Sequence, residues 1–197
     1  MMNQINKENL ELILKKHGMW VKREVGGERA SLCQYILRGL DLREYTLAKA
    51  IIHDSDLSDT ILTGVSLRGA DISFSSLRNA DLRNADLNMA DLQFAILDGA
   101  DMSGANLSGA LLSVTSFEGV RMSWFDHELI SERLWRAAGD DLELRMVAAF
   151  IGRTKSRCWD DYRELSQIHR RWILKNFALW VREGDNVPEL MNAIKIF

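Results

Sequence analysis

Apolar residues recur at every fifth position between Leu32 and Met122, with no slip in register. Two residues before each of them lies a second column, in which alanine dominates and serine or threonine substitutes. Strand side chains alternate with a period of two and helical ones with a period of 3.6, so neither element keeps residues five apart on one face. The pattern therefore predicts a chain that bends once in every repeat. The apolar column is Leu32, Leu37, Leu42, Leu47, Ile52, Leu57, Leu62, Leu67, Ile72, Leu77, Leu82, Leu87, Leu92, Leu97, Met102, Leu107, Leu112, Phe117 and Met122.

The bend is predicted two residues after each apolar residue. Glycine is frequent there, as at Gly64 and Gly99, and asparagine takes the place at Asn79 and Asn84. These residues tolerate the backbone conformations of tight turns. The small residue and the apolar residue, two apart on a short extended segment, are both expected to point into the core.

The early repeats depart from this pattern. Tyr35, Leu40 and Tyr45 stand where the small residue is expected. We therefore expect the first coil to be irregular or wider than the others.

The segments Ala80–Asn84 and Ala105–Gly109 read ADLRN and ANLSG. They resemble the A(D/N)LXX motif of the pentapeptide-repeat family, and the resemblance extends over residues 30–124. It implies a mainly β fold, a right-handed quadrilateral β-helix with four repeats in each coil. Nineteen repeats would make nearly five coils, a rod on the order of 23 Å tall at the usual strand spacing.

Residues 1–29 are expected to cap this β-helix, because its first coil would otherwise leave an open edge. A helix is predicted from Lys7 to His17, with Asn6 as its N-cap and Gly18 ending it. The lead-in also resembles that of many bacterial and phage-borne members of the family.

Residues 125–197 are predicted to form a separate all-α domain, because helical periodicity replaces the five-residue repeat. Its tryptophans are expected in a packed core, and its length suggests that it carries specificity. The predicted helices span 126–138, 140 or 141 to 151, 159–168, 170–181 and 188–196, and the tryptophans are Trp135, Trp159, Trp172 and Trp180.

The composition of the chain indicates the cellular compartment in which it is expected. The chain has 197 residues, a net charge of -3 and two cysteines, Cys33 and Cys158, too few for a disulfide framework. The residues from Met1 to Lys16 do not have the pattern of a signal peptide, and no apolar run approaches the ~20 residues of a membrane span. A cytoplasmic protein without a membrane segment is expected.

Motifs for chemistry are missing from the sequence. It contains no P-loop, GxGxxG, GxSxG, HExxH or CxxC segment. Cys33 and His53 should stack on adjacent coils, but two ligands do not make a zinc site. No catalytic residue, cofactor or metal is predicted, and an enzyme is not expected because a filled coil offers no concave pocket.

Charge suggests one possible function. Residues 30–124 contain twelve acidic and seven basic residues, a net of -5. Some pentapeptide-repeat proteins are acidic rods that bind DNA gyrase in place of DNA and confer quinolone resistance, and the resemblance implies that possibility here. Asp71, Asp81, Asp91 and Asp101 would be the acidic surface. Basic residues interrupt the acids, however, and direct binding of nucleic acid is not expected.

A competing feature is apolar. Phe74, Phe94 and Val114 are twenty residues apart and should form one exposed column, with Ile51 and Leu111 on the same face. Such a ladder should be covered. The helical tail or N-terminal helix, a second copy in a homodimer, and another protein are the three candidates.

The leading interpretation is a non-enzymatic protein-interaction scaffold or antagonist whose protein partner is unidentified. The alternative is a DNA-mimic regulator of DNA gyrase or of another DNA-handling enzyme. The first predicts binding that depends on the tail or the apolar column and is nearly independent of salt. The second predicts competition with duplex DNA and steep salt sensitivity.

Overall fold

The structure, a computed structural model, describes residues 2–122, 127–153 and 166–178. The chain divides into two compact units, Met1–Ser123 and Trp124–Phe197. The first unit contains β1 (Asn3–Gln4), α1 (Lys7–Val21), β2 (Tyr35–Ile36), β3 (Asp101–Met102) and β4 (Arg121–Met122). The second contains α2 (His127–Ala137), α3 (Leu142–Arg153) and α4 (Gln167–Ala178).

The repeats build a solenoid in which each coil takes twenty residues. β3 pairs in parallel with β4, Asp101 opposite Arg121, and single-residue parallel bridges such as Asp71 to Asp91 keep the same spacing of twenty. The Leu82 N–H donates to the Asp101 carbonyl at 2.8 Å, and the Asp101 N–H donates to the Ala80 carbonyl at 3.0 Å. Twenty residues are four pentapeptides, the number in each coil that the resemblance implied.

In nearly every repeat the chain turns because the third residue of the turn adopts a left-handed conformation; the turn at Glu44 is the exception. At the repeat that follows Leu82, the Ala85 N–H donates to the Leu82 carbonyl at 3.0 Å, and Asn84 has φ +56°. A positive φ at this position characterises type II turns and favours glycine or asparagine. The predicted location of the bend is confirmed.

The axis of the solenoid is filled by the apolar column and the small column. Side chains from Leu47 to Met102 in the apolar column are completely buried. Where a hydroxyl replaces alanine, it finds a backbone acceptor: Ser75 Oγ donates to the Ile52 carbonyl at 2.8 Å and Thr115 Oγ1 to the Leu92 carbonyl at 2.7 Å. A buried hydroxyl with such a partner avoids the cost of desolvation without a hydrogen bond.

The first coil keeps the register of the others, which differs from the irregularity expected. The Leu37 N–H donates to the Asp56 carbonyl at 2.8 Å and the Leu42 N–H to the Ile61 carbonyl at 3.0 Å. Tyr35, Leu40 and Tyr45 are only half-buried. The backbone ladder therefore fixes the coil while the large side chains remain at its periphery.

Helix α1 lies against the first coil. β1 pairs in parallel with β2, and the buried residues of α1 are Leu10, Leu14 and His17. The Asn6 side chain accepts from the Asn9 N–H at 2.8 Å, which confirms the predicted N-cap. Strand β1 adds hydrogen bonds to the edge of the first coil, an edge that would otherwise be open.

Gly18 does not end α1, so the predicted C-terminus is wrong. The helix continues to Val21 and closes on Arg23, which has φ +61°. The Glu24 N–H donates to the Met19 carbonyl at 2.9 Å and the Arg23 N–H to the Trp20 carbonyl at 3.0 Å. These two bonds form a Schellman motif, with arginine at the place where glycine is usual.

The second unit has a small apolar core of its own. Ile130, Leu134, Val147, Ala148 and Ile173 are buried. Ser131 Oγ in α2 donates to the Ala148 carbonyl in α3 at 2.7 Å. None of the helices in the described residues is long and apolar enough to span a membrane.

The helix boundaries in this unit decide between the two predicted caps of α3 and correct one other prediction. Asp141 caps α3, because its Oδ1 accepts from the Leu144 N–H at 3.0 Å. The predicted break between Ile168 and Arg170 is wrong: both lie within α4, which Ser166 caps by accepting from the His169 N–H at 3.2 Å. The parts of the predicted helices in 154–165 and 179–197 lie outside the described residues.

The predicted tryptophan core is wrong for Trp135. Its side chain is 42% exposed, and the Arg145 guanidinium lies 5.6 Å from its ring centroid. Trp172 is half-buried, whereas Trp159 and Trp180 lie outside the described residues. A cation–π contact of this kind stabilises a tryptophan ring at the surface without packing in a core.

Replacing Leu82 with aspartate should unfold the solenoid, because a fully buried carboxylate without a partner costs several kcal/mol. Leu111→Asp is the matched control, since the Leu111 side chain is 49% exposed and surface changes usually stay within about 0.5 kcal/mol. Thermal unfolding followed by circular dichroism measures both. Equal stability of the two variants would contradict the buried axis.

The attachment of α1 should weaken as pH falls below neutrality. Burial lowers the pKa of His17, the Ala48 carbonyl raises it in part, and Arg29 lowers it further. The ring is completely buried, and Nδ1 accepts from the Ala30 N–H at 3.1 Å. Since the folded pKa is the lower one, stability is complete above the unfolded pKa of about 6.5 and declines below it.

The melting temperature of the wild type should therefore decrease between pH 7.5 and pH 5.5. In His17→Asn, an amide oxygen can accept from Ala30 and cannot be protonated in this range, so the decrease should shrink. An unchanged decrease in this variant would assign the pH dependence to another group.

Candidate interaction surface

Phe74, Phe94 and Val114 form one exposed column at a corner of the solenoid, and we call these three residues the apolar corner. The rings of Phe74 and Phe94 are stacked, with centroids 4.6 Å apart and planes 7° apart. The three side chains are 57%, 44% and 66% exposed. The ring separation matches the spacing of paired strands, about 4.8 Å, so the stacking of the coils also stacks the rings.

All three residues of the apolar corner have a left-handed backbone. Their φ values are +57°, +58° and +61°. This conformation is uncommon for residues other than glycine, asparagine and aspartate, and a β-branched residue in it is an outlier. At this corner the chain therefore accepts strain that glycine or asparagine would avoid.

A flat wall adjoins the apolar corner, and we call Ile51, Asp71, Asp91 and Leu111 the adjoining wall. Parallel bridges link these residues in that order. The Asp71 carboxylate accepts from the Ser73 N–H at 3.1 Å and from Ser73 Oγ at 2.6 Å. Asp91 accepts from the Gln93 N–H at 2.9 Å. The face expected to carry Ile51 and Leu111 therefore carries two carboxylates between them.

The four acidic candidates do not form one stripe. Asp71 pairs with Asp91, and Asp81 pairs with Asp101. The two columns are ten residues apart in a twenty-residue coil, which places them on opposite sides of the solenoid. The structure brings Asp71 and Asp91 together with the apolar corner, and it separates Asp81 and Asp101 from them.

Arginine neutralises part of the acidic surface. Arg83 lies 2.6 Å from Asp81, and this hydrogen bond holds the pKa of the Asp81 carboxyl at about 2. Arg38 lies 2.9 Å from Asp56, and Arg78 lies 2.7 Å from Asp98. Because of these pairs, the negative potential of this protein surface is weaker and less uniform than that of a duplex DNA.

Cys33 and His53 do not assemble a site. Cys33 is a free cysteine whose Sγ lies 3.7 Å from the Ile51 carbonyl, and His53 Nδ1 lies 3.0 Å from the Asp54 carboxylate. In the described part of the chain, no three histidine, cysteine or acidic side chains are grouped so that they could hold a metal ion.

Two depressions lie near the first coils. One, of about 600 Å³, lies between Tyr35 and the N-terminal residues Ile5, Leu12 and Ile13. The other, of about 210 Å³, lies beside Phe74 and is lined by Met2, Gln34 and Asp54. The second extends the apolar corner toward the N-terminus.

Met89 is an exposed apolar residue that the sequence analysis did not single out. It is 63% exposed and has φ +60°, the same conformation as the apolar corner at a different corner of the coil. Its position two residues after Leu87 could have identified it from the sequence as an exposed corner residue. It stands without an apolar partner in its column, where Lys49, Gly69 and Gly109 precede and follow it.

Val114→Asn should stabilise the solenoid by about 1 kcal/mol, because asparagine adopts the left-handed conformation at lower cost than a β-branched residue. Gly64→Val is the reverse control: Gly64 has φ +71° and open space around it, so only backbone strain should lower its stability. Chemical denaturation measures both free energies of unfolding. A destabilised Val114→Asn variant would show that Val114 contributes to folding.

Comparison with known proteins agrees with this architecture. The family described as pentapeptide repeats matches residues 28–64, 66–104 and 95–124, in eight copies. No curated protein sequence matches the chain significantly.

Solved structures also resemble it. A pentapeptide repeat protein from the thylakoid lumen of Arabidopsis thaliana is 27% identical over 46% of this chain and 60% of its own, with a TM-score of 0.38. Rfr23 from the cyanobacterium Cyanothece 51142 is 30% identical over 49% and 58%, with a TM-score of 0.32. QnrB1, a plasmid-mediated fluoroquinolone resistance protein, is 19% identical over 53% and 56%, with a TM-score of 0.35.

The chain spans less than two thirds of each of these structures. At these TM-scores the superpositions carry no information on partner or activity. The repeated motif, the coil of twenty residues and the match over residues 28–124 together identify the chain as a member of the pentapeptide-repeat family.

Proposed function

We propose that this chain is a non-enzymatic protein-interaction scaffold or antagonist, and that the apolar corner and the adjoining wall are its contact surface. The observation that carries the proposal is the exposed Phe74–Phe94 stack, continued by Val114. Contiguous exposed apolar residues usually mark interaction sites. Aromatic residues are also enriched among those that dominate binding energy.

Backbone strain supports the same surface. Three large side chains in one column adopt the conformation that glycine or asparagine would adopt at lower cost. Strain of this kind persists where the side chain serves a purpose other than folding. Its concentration in the column that is also exposed and apolar favours a binding role.

The proposal includes an architecture for the whole chain. Residues 30–124 form a right-handed quadrilateral β-helix, residues 1–29 cap it, and residues 125–197 form a helical domain that contributes specificity. The parallel pairing of coils supports the handedness, because parallel connections are overwhelmingly right-handed. We place the protein in the cytoplasm, where Cys33 remains a thiol.

The alternative proposal is a DNA-mimic regulator of DNA gyrase or of another DNA-handling enzyme. The net charge of -5 over residues 30–124 favours it. The separation of Asp71 and Asp91 from Asp81 and Asp101, and the arginine that neutralises Asp81, count against it. A duplex presents uninterrupted phosphates to its partners.

Affinity capture from a lysate of the source cells, read by mass spectrometry, tests the proposal. The wild type is compared with Phe74→Asn/Phe94→Asn, in which asparagine suits the backbone, and with Met89→Asn as the matched control. A partner should be captured by the wild type and the control, be lost with the double variant, and remain at about 500 mM salt, where exposed charges are screened.

The same capture separates the alternative. A DNA-handling enzyme that is retained only at about 50 mM salt, and is lost on neutralising Asp71, Asp81, Asp91 and Asp101 together, would favour the DNA mimic. Partners captured equally by the wild type and by Phe74→Asn/Phe94→Asn would contradict the proposed surface.

A further inference from the structure

The surface around the apolar corner has a charge pattern that differs from the other three corners. The turns at those corners each contain two basic residues: Arg38 and Arg78, Arg43 and Arg83, and Lys49 and Arg68. The turns of the apolar corner and the adjoining wall, positions 31, 33 and 34 with their counterparts every twenty residues up to 114, contain no lysine or arginine, and their one histidine, His53, lies 3.0 Å from the Asp54 carboxylate. They do contain Asp54, Asp71 and Asp91.

The two carboxylates of the adjoining wall keep their negative charge available. Within the described residues, neither Asp71 nor Asp91 forms an ion pair with lysine or arginine, whereas Asp56, Asp81 and Asp98 do. Their carboxylates accept hydrogen bonds from the neutral donors of Ser73 and Gln93. The face is therefore apolar and acidic at once, and it favours a partner that is apolar and basic.

The adjoining wall can bind a partner through its side chains, because its backbone groups are already hydrogen-bonded. The Asp71 N–H donates to the Ala50 carbonyl at 3.0 Å, and the Asp91 N–H donates to the Ala70 carbonyl at 2.9 Å. Because the coils above and below use these groups, a partner strand cannot be added at this face. Recognition here has to proceed through side-chain packing and charge.

The spacing of the apolar corner suits an α-helix that lies along the solenoid axis. Two coil steps separate Phe74 from Val114, about 9.6 Å at the usual strand spacing. An α-helix rises about 10 Å over seven residues, so apolar side chains at i, i+3 or i+4, and i+7 would meet the three members of the column. Basic residues beside that stripe would then approach Asp71 and Asp91.

We propose that the partner segment bound at the apolar corner is a basic amphipathic helix of another protein, with its apolar stripe on Phe74, Phe94 and Val114 and its lysine or arginine side chains on Asp71 and Asp91. This inference rests on the proposed function and specifies the chemistry of the partner. Aromatic packing supplies the affinity, and the carboxylates select for charge.

A labelled fifteen-residue peptide of leucine and lysine, with leucine at i, i+3, i+4 and i+7, is the probe, and fluorescence anisotropy with the full chain measures binding. The dissociation constant should rise at least about tenfold, or 1.4 kcal/mol, in Phe74→Asn/Phe94→Asn. In Asp71→Asn/Asp91→Asn it should also rise. Met89→Asn and Asp81→Asn/Asp101→Asn, the matched apolar and acidic controls, should bind as the wild type does.

A second peptide, with glutamate in place of lysine, tests the charge selection and should not bind. If it binds as tightly and this binding depends on Phe74 and Phe94, the charge inference is overturned while the proposed interaction surface stands. Equal binding of the lysine peptide to all variants, or no binding at all, overturns the inference as well.

Sedimentation of the chain alone tests a different occupant. Helix α4 is itself basic, with Ile168, Arg171 and Lys175 exposed at helical spacing. Self-association that disappears in Phe74→Asn/Phe94→Asn would identify a second copy as the occupant and overturn the inference of another protein. A monomer over the concentrations used for the peptide titration supports it.

Discussion

The backbone ladder between residues twenty apart is the interaction on which the solenoid depends. The N–H of a core residue such as Leu82 donates to the Asp101 carbonyl in the next coil, and the Asp101 N–H donates to the Ala80 carbonyl. Because every coil repeats this register, each sequence position belongs to a column that runs along the axis. A property that recurs at intervals of twenty residues therefore becomes a continuous surface, whether it is the buried leucine axis or the exposed Phe74–Phe94 stack.

The turn conformation links folding to surface chemistry. All the described bends except the one at Glu44 place a residue with positive φ at the corner, and a side chain at that residue projects from the corner. Glycine and asparagine adopt this conformation at little cost. A larger side chain at a corner costs more, and such strain is typical of positions with a functional role. The apolar corner combines that strain with exposure, and the adjoining wall supplies carboxylates at the same height. Binding and stability are therefore expected to oppose one another at Val114.

The flanking segments were harder to predict than the repeats because no strict period constrains them. The local rule that glycine ends a helix pointed to Gly18, but α1 continues to a Schellman motif at Arg23. Leu14 and His17 are buried, and tertiary packing of this kind is not visible to a local rule. Trp135 was assigned to a core by its size, yet Arg145 covers it at the surface. The N-cap at Asn6 was predictable, since it rests on a hydrogen bond within a single turn.

The sequence by itself determined the solenoid, the bend in each repeat, the buried column and the exposed column of Phe74, Phe94 and Val114. The bend and the buried column follow from the period of five, and the exposed column follows from the coil of twenty that the family resemblance implies. Only the tertiary structure decided which carboxylates are neutralised. Within the described residues Asp71 and Asp91 form no ion pair with lysine or arginine, whereas Asp81 pairs with Arg83, because ion pairing depends on side-chain orientations that the place of a residue in its column does not fix.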